Sequence, residues 1–397
     1  MRDMKRDIIS MRQLLVLMFT GLTAVALRQV PGRSAAATGG EGAWLAPLIA
    51  LPAVLLLCWV MISLFRNVPA HWGLGEVYQG VLGLKIGKAL ILLYIVWALW
   101  ILGSGIAQCS ERLGVLGYSV PGRAAFLLAA LVLTAGMAMG KLSAFARASE
   151  IFFLVLTVGV VFVLALACFR VQPGNLLPVR GAAWKGGASV AAVAGAGVPA
   201  AFLMGQIAEK GRQQGAKKLV RWAVAAMLFL LALHVICIGV FGWQVTSRQR
   251  VPLYEAAKQV GIPGAFHRVE AVIAALLVMS DVTLFGWILF TIGAMGRSFS
   301  HRLKRKGVVP AAAGIGAGIA ICFVLWPAAA KISGQIFLPI LSLVLGFFVP
   351  TVIAVVKKCR GVKQEASLSC GTEKEKTEDI VVGKEKEKRL KKEGKKC

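Results

Sequence analysis

Long apolar runs separated by short basic segments dominate this chain. Windows of about twenty residues predict ten membrane helices, approximately at 14–30, 43–65, 86–108, 124–140, 151–169, 188–207, 223–243, 271–295, 308–326 and 336–356. Trp44, Trp222, Trp243 and Trp326 fall at span ends, where amphipathic rings favour the headgroup layer. Two runs are interrupted. The sixth carries Gly195, Gly197 and Pro199 at its middle, and the first carries Gly21, Thr23 and Arg28 ahead of Pro31. Lipid offers no hydrogen bonds, so a helix broken at mid-membrane needs protein, trapped water or a ligand to satisfy its backbone, and such breaks mark binding sites.

Composition agrees with a polytopic membrane protein. Hydrophobic residues make up 58% of the 397, and the mean hydropathy is +0.75. The net charge of +27 would suggest a nucleic-acid partner in a soluble protein, but its placement does not. From Lys357 onward, 14 Lys and Arg face 8 Asp and Glu, so most of the excess lies in the loops. With the N-terminus inside, loops on that side hold 19 Lys and Arg against about 11 on the other, which places both termini in the cytoplasm. The charge is read as topology and contact with anionic lipid, not nucleic-acid binding. Arg2, Lys5 and Arg6 followed by a short apolar run also fit a cleaved signal peptide, but the interrupted helix is the preferred reading.

The eight cysteines are scattered and the four histidines dispersed, so neither a disulfide framework nor a metal site is expected. His234, inside a span, reads as a hydrogen-bonded interior residue. No phosphate loop, metalloprotease or nucleophile-elbow motif occurs, so neither enzyme chemistry nor a cofactor is expected. The expected organisation is a cytoplasmic N-terminus (1–13), a transmembrane domain (14–356) and a disordered Lys/Glu-rich cytoplasmic tail (357–397).

Polar groups inside spans carry the most information, because each needs a partner. Asp281, beside Ser280 and Thr283, reads either as a contact for a ligand ammonium or coupling ion, or as an interhelical hydrogen bond. Phe266, Arg268 and Glu270 read as an interfacial cluster. Arg28 either snorkels to headgroups or holds a carboxylate.

Several stretches together resemble the GerAB family, the B subunits of GerA-type spore germinant receptors in the amino acid–polyamine–organocation superfamily. They are Ile9-Ser10-x-Arg12-Gln13, Pro31, Ala43-Trp44-Leu45, Gly83-x-x-Ile86-Gly87-Lys88 before Leu93-Tyr94, and Glu111 with Pro121. Gly140, Ala146-Arg147-x-x-Glu150-Ile151, Asn175-Leu176-Leu177-Pro178-Val179, Pro252 and Phe266-x-Arg268-x-Glu270 follow in order. The resemblance implies an all-α, 5+5 inverted-repeat (LeuT-like) fold with broken first and sixth helices. It further implies a ligand site in which half-helix amides bind an amino-acid carboxylate. That site would comprise Gly21, Leu22, Thr23, Gly195, Ala196 and Gly197, completed by Tyr94, Ala98, Asp281 and Thr283. Family members commonly carry a Glu just after the sixth-helix break; this chain has Pro199-Ala200-Ala201-Phe202 there, and Asp281 is the candidate to supply the charge.

The implied function is a nutrient-sensing subunit in the spore inner membrane, beside an A-type subunit and a lipoprotein C-type subunit. An amino acid or amine transporter coupled to H⁺ or Na⁺ is the alternative.

Overall fold

The computed structural model describes residues 8–115, 119–207, 215–259, 269–300 and 303–359, and almost all of them are helical. Nine helices among these residues are long and apolar enough to cross a membrane. A tenth crossing comes from a bent pair, Met11–Leu27 and Gln29–Thr38, whose halves meet at 54°. The first span therefore does not end at Pro31, as the sequence suggested. Proline lacks the N–H that would bond the Leu27 carbonyl, and its ring crowds that group, so the helix bends just ahead of it and continues to Thr38.

The chain enters this span through a capping box: the Gln13 N–H donates to Ser10 Oγ (3.1 Å) and the Ser10 N–H donates to Gln13 Oε1 (3.0 Å). Just before it, the Ile9 N–H donates to the Gln206 carbonyl at 2.9 Å, tying the start of the first span to the end of the sixth. Arg12 reaches Glu150 at 3.9 Å. Motif pieces far apart in sequence are thus contacts in space.

The helices sort into two groups. The first (Met11–Thr38), second (Ala46–Phe65), sixth (Ala183–Gly195 continuing as Val198–Gln206) and seventh (Gly215–Arg248) spans pack on one another. The third (Leu84–Val115), fourth (Val120–Met139), eighth (Val269–Phe299) and ninth (Arg305–Leu325) form the other group. The fifth (Leu142–Cys168) joins the first to the eighth, and the tenth (Pro327–Cys359) lies against the second and sixth. Across their most apolar windows the third, sixth and eighth spans are 56%, 61% and 72% buried, against 28–33% for the second, fourth, fifth, ninth and tenth. The first set is thus the interior of the bundle and the second faces lipid.

The tenth span is irregular twice, with π turns at Ser333–Phe337 and Val344–Phe348. Each is followed by a proline that cannot donate, Pro339 and Pro350. In the second turn the Val349 N–H goes to the Val344 carbonyl, and the next nitrogen is that of Pro350, so the Leu345 carbonyl has no helical donor. Tyr94 Oη fills the vacancy at 2.5 Å. The first turn repeats the pattern: the Leu338 N–H goes to Ser333, which leaves the Gly334 carbonyl without a helical partner.

Candidate functional site

The sixth span breaks where the sequence placed the break. Its first helix ends at Gly195, and Ala196 and Gly197 form a turn before a 3-10 segment that carries Pro199. The turn is internally satisfied, since the Ala196 N–H donates to Ala192 O and the Gly197 N–H to Ala194 O, both at 3.0 Å. Gly21, Leu22 and Thr23 lie below the bend of the first span, inside continuous helix, and Thr23 Oγ1 donates back to Phe19 O at 2.6 Å. Of the amides expected to cradle a carboxylate, those of Ala196, Gly197 and the Gly21–Thr23 turn are spent on their own helices.

Two cavities flank the contact between the broken spans. The larger, about 610 Å³, lies within the first-second-sixth-seventh group and is walled by such residues as Met18, Phe19, Met61, Val193, Met204 and Trp222. Thr23 reaches it with a hydroxyl already bonded, and Arg66 and Asn67 stand at one end of its lining. Such walls suit apolar matter and offer a zwitterion little. The smaller, about 40 Å³ or roughly three water molecules, lies between the first, third, sixth, eighth and tenth spans. Most of its wall is apolar as well, but polar side chains are grouped in it: Gln29, Arg33, Ser104, Gln108, Ser189 and Ser342.

Leu22 borders both cavities, Gly197 the large one and Ala196 the small one. A Cβ on Gly197 would come within 3.0 Å of Leu22 Cδ1, so this close approach of the two broken helices is the partition. Gly195 turns away to the tenth span, where a Cβ would meet Ser342 O at 2.6 Å.

The remaining expected site residues lie elsewhere. Tyr94 is fully buried among Tyr78, Trp97 and Phe202, bonded to Tyr78 Oη (3.1 Å) as well as Leu345, and locks the third span to the tenth. Ala98 is buried in the same core. Thr283 donates to Met279 O within its own helix. None of these three lines either cavity. Asp281 forms a buried ion pair with Arg112 of the third span and faces a narrow gap beside Val251 and Tyr254, not the polar cavity. It does not supply the charge missing beside the sixth-helix break. Arg28 and Glu270 lie in helices, with side chains outside the described residues; Phe266, Arg268, Glu209 and the tail from 360 onward are themselves outside the described residues.

His234 matches its interior reading: its ring nitrogens meet Leu230 O (2.7 Å) and Ser34 Oγ (2.9 Å). The sequence reading missed Arg33, Gln29, Gln108 and Arg112. Ending the first span near Pro31 put Arg33 in a loop, and ending the third at Gln108 did the same to Arg112. The signal available was spacing: Gln29 and Arg33 are one helical turn apart on one face.

A family model described as spore germination protein matches residues 8–328. No curated protein matches the chain. Among solved structures, the chain is similar to MhsT in complex with L-phenylalanine, at 13% identity and a TM-score of 0.61, with 87% of this chain and 88% of that one covered. It is also similar to a substrate-bound, outward-open Na⁺-coupled sialic acid symporter, at 13% identity and a TM-score of 0.58, covering 86% and 79%. These likenesses establish the LeuT-like fold, and the family match, running from the capped start of the first span through the ninth, places this multi-pass membrane protein in the spore germination protein family.

Proposed function

We propose that this chain is the nutrient-sensing subunit of a spore germinant receptor. It binds a small molecule, an amino acid by preference, in the polar cavity beside the two broken spans. Membership of the spore germination family supports the role, and the cavity at the meeting of the first, third, sixth, eighth and tenth spans is the observation that carries the site. Ligand bound there touches both helix groups and biases their relative arrangement, a bias passed to A-type and lipoprotein C-type partners in the spore inner membrane with both termini cytoplasmic. Secondary transport is the second reading, favoured by the likeness to a Na⁺-coupled symporter. Uptake of radiolabelled amino acids into proteoliposomes separates the two. The sensor reading expects saturable binding without accumulation, and gradient-driven accumulation by this chain alone would overturn it.

A further inference from the structure

Arg33 is the unusual group in the polar cavity. It lies on the segment Gln29–Thr38 beyond the bend and, among the described residues, makes no hydrogen bond or ion pair, although a guanidinium carries five donors. The cavity lining contains no Asp or Glu to neutralise it. A cation at this depth without an anion is costly, and the cost falls when a ligand brings the anion.

Its surroundings supply the complementary groups. One turn earlier, Gln29 Nε2 donates to Gln108 Oε1 at 2.7 Å, which pins the amide, while Gln29 Oε1 is buried with no donor. Residues four apart on a helix stand roughly 6 Å apart at Cβ, a spacing that one small zwitterion bridges. The guanidinium also abuts the tenth span: a Cβ on Gly334 would lie 3.3 Å from Arg33 Nη2, and Gly334 is the residue whose carbonyl the first π turn leaves open. The cavity thus holds a cation without an anion and, one turn away on the same helix, an acceptor without a donor.

Building on the sensor reading above, we infer that Arg33 is the specificity-determining residue, receiving the ligand's carboxylate while Gln29 Oε1 accepts from its amine. The site therefore selects small carboxylate-bearing ligands of amino-acid type over neutral nutrients, and it binds the carboxylate through a side chain and not through helix ends.

The full-length protein in nanodiscs, screened by ligand-induced thermal shift, tests this. The probes are the proteinogenic L-amino acids, their carboxamides, and the neutral compounds glucose and inosine. At least one small amino acid is expected to stabilise the wild type and its carboxamide to fail. Arg33→Gln should raise the half-maximal concentration of that amino acid roughly ten- to hundredfold, the loss of hydrogen bonds to a charged group, and erase the acid-over-amide preference. Arg33→Lys should restore part of both. Equal stabilisation by acid and carboxamide, or an unchanged half-maximal concentration in Arg33→Gln, overturns the Arg33 assignment and leaves the sensor reading standing, as does stabilisation by neutral compounds alone. A wild type that answers to no compound overturns both. Because the acid/amide comparison uses wild-type protein, it stands even where Arg33→Gln fails to fold.

Discussion

Asp281 and Arg112 offer a prediction whose size follows from their burial. Their side chains are 2% and 7% exposed, on the eighth and third spans respectively. Removing one member of a buried pair strands the other charge and costs about 3–5 kcal/mol, whereas replacing both with apolar groups of similar volume is near neutral or stabilising. Arg112 cannot shed its proton, so a stranded guanidinium is the worse outcome. Asp281→Asn is therefore expected to lose at least about 3 kcal/mol, Arg112→Met somewhat less, and the doubly substituted Asp281→Leu/Arg112→Met protein to return to within about 1 kcal/mol of wild type. Equilibrium unfolding in mixed detergent micelles, followed by tryptophan fluorescence, measures all three. If the losses simply add, or if Asp281→Asn costs under about 1 kcal/mol, the pair is not the latch between these spans. The double variant should also keep its ligand response, because Asp281 does not line the polar cavity.

The two glycines of the sixth-helix break should behave differently. Gly195→Ala drives a Cβ against Ser342 O and the Phe347 ring, atoms of a span already in backbone contact through Gly346, and should cost about 1–3 kcal/mol; Gly197→Ala meets the flexible tips of Leu22 and Met18 and its own helix, so its melting temperature should fall less. Truncation after Cys359 should leave the melting temperature unchanged. Truncation after Val356 should lower it, since Lys357 Nζ donates to Leu64 O and Arg66 O, each at 2.8 Å, and closes the end of the second span.

Hydropathy made the ten crossings legible because the bilayer imposes length and apolarity on each helix separately. Gly195, Gly197 and Pro199 were legible for the same local reason. Pro31 misled: a proline ends most helices, but inside a membrane bundle its freed carbonyl is tolerated and the helix bends and goes on. That single misreading hid Arg33. Arg112 was hidden by the penalty a hydropathy window assigns to any charge, which takes no account of a partner such as Asp281, 169 residues away. Tyr94 was singled out, but its link to Leu345, 251 residues on, belongs to packing that no local pattern encodes.

The two π turns of the tenth span bear on which changes in chain length the protein tolerates. A π turn holds one residue more than an α turn, so deleting one residue within Ser333–Phe337 or Val344–Phe348 restores a regular ladder and keeps the later faces in phase. The same deletion in a regular stretch swings every following side chain by about 100° around the axis. Single-residue gaps in this span should therefore collect at these two turns, and each carries a price in chemistry. A gap in the second removes the open carbonyl that anchors Tyr94, and a gap in the first disturbs the glycine turn that Arg33 abuts.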